Sequence, residues 1–140
     1  PKTSLRLRSI LNIANDLERA ADIFYSVSKT IEKKIKNKDY FLPEQRNNIN
    51  KMLDSLDLAF KIMMNNLNNP NYDEVIIDDA LEAEKTLNKL RKKLRKENLK
   101  RVGDKDYNSK SALIYNNVFS TLEKIGDHAL NVTESIVGEI

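Results

Sequence analysis

Residues Leu122–Glu134 read LEKIGDHALNVTE. Leu122, Ile125, Ala129 and Val132 recur at helical spacing, and the stripe extends outward through Val118 and Ile136. Glu123, Asp127 and Glu134 lie on a second stripe that this apolar face does not use. The segment is therefore an amphipathic helix, opened by Asn108 or Ser109, with carboxylates arrayed on its other side. Neighbouring acids repel, so water screens them or something cationic belongs there.

Working back along the chain, the same periodicity appears three more times. A first helix spans about Ser4 to Lys36 with a stripe of Ile10, Ala14, Leu17, Ala21, Phe24, Ile31 and Ile35, and ends in KNKD. Pro43 and Glu44 suit the first turn of a second, where a fixed φ helps and the missing N–H is not needed. Its stripe is Ile49, Met52, Leu53, Leu56, Phe60, Met63 and Leu67, and NNPN breaks it. Asn71 is expected to cap a third, with Asp73 and Glu74 near its positive end. Its stripe is Ile76, Ala80, Ala83, Leu87, Leu90 and Leu94, and Gly103 closes it. Four amphipathic helices with short links predict an all-α, antiparallel up-and-down four-helix bundle.

Composition agrees and excludes several classes. The chain has 140 residues, enough for one domain, with 32% charged residues and only three Gly and three Pro, as helices favour. It has no cysteine, so no disulfide framework or thiolate metal site. A net charge of +3 does not by itself argue for nucleic acid. No apolar run approaches the roughly 18–20 residues of a membrane span, and no signal peptide is visible. The chain starts at Pro1, which leads us to expect excision from a longer chain. Hydrolytic triads fail for want of cysteine and a second histidine, no E-x-x-H di-iron motif occurs, and no phosphate loop is present. Enzymatic activity is not expected.

The first and last helices echo each other. ANDLERAAD (Ala14–Asp22) aligns without gaps on FSTLEKIGD (Phe119–Asp127), sharing L-E-[RK]-x-[AG]-D. Four residues rise about 6 Å and advance about 40° around a helix, so Glu18 and Asp22, like Glu123 and Asp127, share a face. Glu134 falls about 20° from Glu123, and Asn131 lies near Asp127. These acids are expected on an outer or rim-facing surface. A solvated face is the ordinary reading of one such pair, which costs only about 0.2–0.5 kcal/mol. Two copies in matching contexts favour a shared cation. Gly126 costs about 1 kcal/mol against alanine, so it implies close approach of a helix or a ligand. The donors suit divalent Mg, Ca, Mn, Fe or Zn. His128 is read first as a packing or hydrogen-bonding residue. Glu84 is read first as the ion-pair partner of Arg91 or Arg95.

DLERAAD and LEKIGDHALNVTE also resemble the signature of PhoU-type domains, D-L-E-R-I-G-D-x-A-x-N-I-A-E with its E(D)xxxD element. Glu123, Gly126, Asp127, His128, Ala129, Asn131 and Glu134 match it, as do Asp16, Leu17, Glu18, Arg19 and Asp22. Ala21, Ser26 and Lys29 depart from it, and Lys29 adds a positive charge where the last helix has Glu134. The resemblance implies three-helix repeats: helices two to four would be one repeat, and the first helix the end of a preceding one, within a single PhoU-like domain over 1–140. It implies a divalent metal at Glu123 and Asp127, with Glu18, Asp22, Asn131 and Glu134 as further candidates, and a role in phosphate uptake.

EAEKTLNKLRKKLRKENLKRV (82–102) further resembles the cytoplasmic C-terminal region of bacterial type II sodium/phosphate cotransporters. That implies placement at the cytoplasmic face of the cell membrane, with the transporter's transmembrane portion as partner. A metal-independent interaction or homo-oligomerisation module is the alternative. The basic run Lys89–Arg101 is by default a solvated face, and its best functional use is contact with a membrane surface. It lacks aromatics for base stacking, so nucleic acid is not expected.

Overall fold

The computed structural model describes residues 2–138. Pro1, on which the expectation of excision rests, lies outside them. Four α-helices account for nearly all of the chain: α1 (Lys2–Lys36), α2 (Pro43–Leu67), α3 (Asp78–Arg101) and α4 (Ser109–Val137). The expected all-α bundle is present.

Two clusters, one polar and one apolar, show that successive helices alternate in direction. Where α1 ends, α2 starts, α3 ends and α4 starts, Gln45 Nε2 donates to Tyr107 Oη at 3.0 Å. Tyr107 Oη donates to Asn98 Oδ1 at 2.5 Å, and Asn98 Nδ2 donates to the Ala112 carbonyl at 3.0 Å. Ser111 Oγ donates to the Tyr40 carbonyl at 3.2 Å. At the other end, Met63, Val75, Val132 and Ile136 form a small cluster against which Ile13 of α1 packs. Buried amides and hydroxyls that satisfy one another fix this arrangement.

Helix boundaries follow local chemistry. Pro43 is the first residue of α2, and Asn108 Oδ1 accepts from the Lys110 and Ser111 amides at the start of α4. Gly103 takes φ +102° in the turn after α3. Asn71 caps a single 3₁₀ turn, Tyr72–Glu74, and α3 starts later, at Asp78. Ile76 therefore precedes the helix and is exposed.

α4 is the hub, packing against α1, α2 and α3, while α2 and α3 also pack on each other. Its predicted stripe, Val118, Leu122, Ile125, Ala129, Val132 and Ile136, is buried throughout. α1 departs from expectation. It meets the bundle through Ala20 and Val27, with Ile13, Ile23 and Ile31 partly buried. Ile10, Leu17, Phe24 and Ile35 of the predicted stripe remain 37–61% exposed. Phe24 reaches across to α2, its ring centroid 6.1 Å from that of Phe60. The echo explains the difference: the face of α4 that matches α1's stripe is covered by α2 and α3, whereas α1 packs chiefly on α4 and uses an adjacent face.

Candidate metal centre

The site forms where α3 closes on α4. Gly126 allows this, because a Cβ there would stand 2.5 Å from Leu87 Cδ1, inside van der Waals contact. The close approach expected at this glycine is therefore to a helix. It brings Glu84, at the edge of α3's buried face, to Glu123 and Asp127 of α4. One carboxylate oxygen from each of the three lies within 4.8 Å of the others, and all three side chains are half-buried.

This corrects the outward placement expected for Glu123 and Asp127, which line a helix–helix seam. It also re-pairs Arg91. Its guanidinium Nε makes an ion pair with Glu123, where the sequence suggested Glu84 as partner, and its Nη2 lies 3.2 Å from Asn88 Oδ1. The Arg91 and Glu123 side chains are only 20% and 14% exposed. One guanidinium against three carboxylates leaves the seam with an excess of negative potential. Asp127 shows the consequence. Burial, then repulsion from Glu123 and Glu84, pushes its carboxyl up to about 6, against the smaller pull of His128 and Arg91.

The other predicted residues fall elsewhere. Glu18 and Asp22 are exposed on α1. Asn131 Nδ2 donates to Asp16 Oδ1 at 3.2 Å, and His128 Nδ1 lies 2.8 Å from the same oxygen. His128 thus has the hydrogen-bonding role read first for it. Glu134 lines a polar groove between α1 and α4 with Asn12, Asp16, Arg19 and Asn131.

Asp16 and Glu84 take larger parts in the structure than their sequence context suggests. Asp16 matched the signature only as a flanking acid, yet it is the polar tie between α1 and α4. Its position on α1's inward face, in register with Ala20 and Ile23, was the available signal. Glu84 was assigned to an ion pair, and its contact with the α4 acids depends on how α3 sits over Gly126.

An all-oxygen donor set of three carboxylates suits hard divalent cations. With His128 turned to Asp16, the seam lacks the imidazole that zinc favours. No family model matches the chain, and no solved structure matches it. The chain is similar to the phosphate-specific transport system accessory protein PhoU homolog 1 of Thermotoga maritima, 27% identical over 136 residues. That alignment takes in 92% of this chain and 54% of the relative, so the chain spans about half of its length.

Proposed function

We propose that the chain is a PhoU-like regulatory domain in phosphate uptake that binds a divalent cation at Glu84, Glu123 and Asp127. The convergence of Glu84 with the E-x-x-x-D pair of α4 carries this reading. The similarity to a PhoU homolog supplies the phosphate-uptake context. A cation bound there would neutralise mutually repelling carboxylates and loosen the hold of Arg91 on Glu123. Magnesium, calcium, manganese or iron(II) fit the donors better than zinc. Glu18, Asp22, Asn131 and Glu134 are proposed as secondary to this site.

Beyond that, we place the domain on the cytoplasmic side of a sodium-dependent phosphate symporter and read α1 as the closing helix of a preceding repeat. Among the described residues, no helix is long and apolar enough to cross a membrane. Calorimetric titration with Mn²⁺ at pH 7.5 tests the metal site. A saturable binding heat is expected for the wild type and should be lost in Glu123→Gln/Asp127→Asn; equal isotherms would sink the metal reading.

One observation favours a second reading. The exposed Ile10, Leu17 and Phe24 stripe supports a metal-independent association surface on α1. Association that persists in EDTA and disappears in Leu17→Lys would support it.

A further inference from the structure

The ridge of α3 that points away from the bundle is made almost wholly of lysine. Lys85, Lys89, Lys92, Lys93, Lys96 and Lys100 are all exposed. They lie opposite the buried face formed by Ala83, Leu87, Leu94 and Asn98. From Lys85 to Lys100 the row extends about 22 Å. Lys85–Lys89, Lys89–Lys93, Lys92–Lys96 and Lys96–Lys100 are like-charge i,i+4 pairs, an arrangement that destabilises a helix. The helix dipole accounts only for the last turn, where Lys100 and Arg101 lie. Elsewhere in the molecule some exposed lysines are offset locally, as in Lys61–Asp57 and Lys29–Glu32. Among the described residues, the ion pairs include none of the six ridge lysines. Glu97 is the one acid between Lys85 and Lys100. The charge of this run is therefore not offset by ion pairs among the described residues, and it faces outward.

We propose that the α3 ridge docks on an anionic phospholipid bilayer. A straight row of flexible ammonium groups matches a plane of lipid phosphates. Three exposed apolar side chains also lie on α3 or just after it: Leu81 at 43%, Leu99 at 64% and Val102 at 49%. They can enter the headgroup–acyl boundary, which a nucleic-acid backbone does not offer. The ridge has no aromatic side chain for base stacking and one exposed arginine, Arg95, for base-edge recognition. The proposal is independent of the metal site, since it rests on the opposite side of α3 from Leu87.

The test is sedimentation of the full chain with vesicles of phosphatidylcholine alone, or with about a third phosphatidylglycerol, in low salt and in 0.5 M salt. A 20-base-pair duplex serves as a second probe. Binding is expected to the anionic vesicles only and to fall steeply with salt. Each lysine near an anionic surface contributes about fivefold (about 1 kcal/mol), so Lys92→Gln/Lys96→Gln should weaken binding by about 25-fold. Lys51→Gln/Lys124→Gln, on other helices, should change it by less than about threefold, with circular dichroism confirming the helical fold of both. Wild-type failure to bind anionic vesicles, equal weakening by the two variants, or tighter binding to the duplex would each overturn the proposal.

Discussion

Replacing Asp127 by asparagine should make the domain more stable and less able to hold metal. In the folded chain the Asp127 carboxyl sits at about 6, whereas an unfolded aspartate titrates near 3.9. Between those values the folded state binds more protons than the unfolded one, so stability falls as pH rises from about 4 to 7 and is flat beyond. A two-unit difference corresponds to at most about 3 kcal/mol. Water reaches this half-buried carboxylate, and screening brings the figure to about 1–2 kcal/mol. Asp127→Asn removes the charge at nearly constant shape. In EDTA at pH 7 it should gain about 1–2 kcal/mol, or roughly 3–8 °C in Tm for a chain of this size. The comparison is made by urea and thermal unfolding of wild type and variant at pH 5 and pH 7. The wild type should lose about half of this increment between the two pH values, and the variant should show much less of this pH dependence. A variant destabilised at pH 7, or one with an unchanged pH dependence, would refute the view that crowded carboxylates strain the seam.

Three further variants probe the same geometry. Arg91→Gln removes the guanidinium that pairs with Glu123; between the small worth of exposed pairs and the large cost of breaking buried ones, it should lose about 2 kcal/mol in EDTA. The same variant should bind Mn²⁺ more tightly than the wild type, and weaker binding would show that Arg91 supports the metal rather than competing with it. Gly126→Val places methyl groups against Leu87 and Leu56 and should destabilise the fold by about 1–3 kcal/mol in denaturant titration. Asp16→Ala frees His128 and Asn131, so hydrogen exchange should quicken in α1 while the amides of α2 and α3 keep their protection.

The sequence was most legible where one helix serves one core. α4 carries an apolar stripe with no competing face, and every member is buried. Proline and asparagine mark the starts of α2 and α4 because their backbone chemistry acts locally. α1 was legible as a helix but not in its orientation. It offers two apolar faces, and only tertiary contact decides that Ala20 and Val27 face inward while Leu17 stays out. The metal candidates divide in the same way. Glu123 and Asp127 share a helical face by spacing alone, whereas Glu84 joins them through packing across Gly126. The partnership of Asp16 with His128 links residues 112 positions apart, which no local pattern encodes.

Glu84, Glu123 and Asp127 are proposed to hold one divalent cation together. Manganese binding to Glu84→Gln, followed by electron paramagnetic resonance at pH 7.5 and pH 5, tests it most directly, because Glu84 lies outside the E-x-x-x-D motif. Wild type should bind one Mn²⁺ at pH 7.5, binding should weaken at pH 5 as Asp127 protonates, and Glu84→Gln should weaken it at least about tenfold. Wild-type affinity in Glu84→Gln, or binding that ignores pH, would contradict the account.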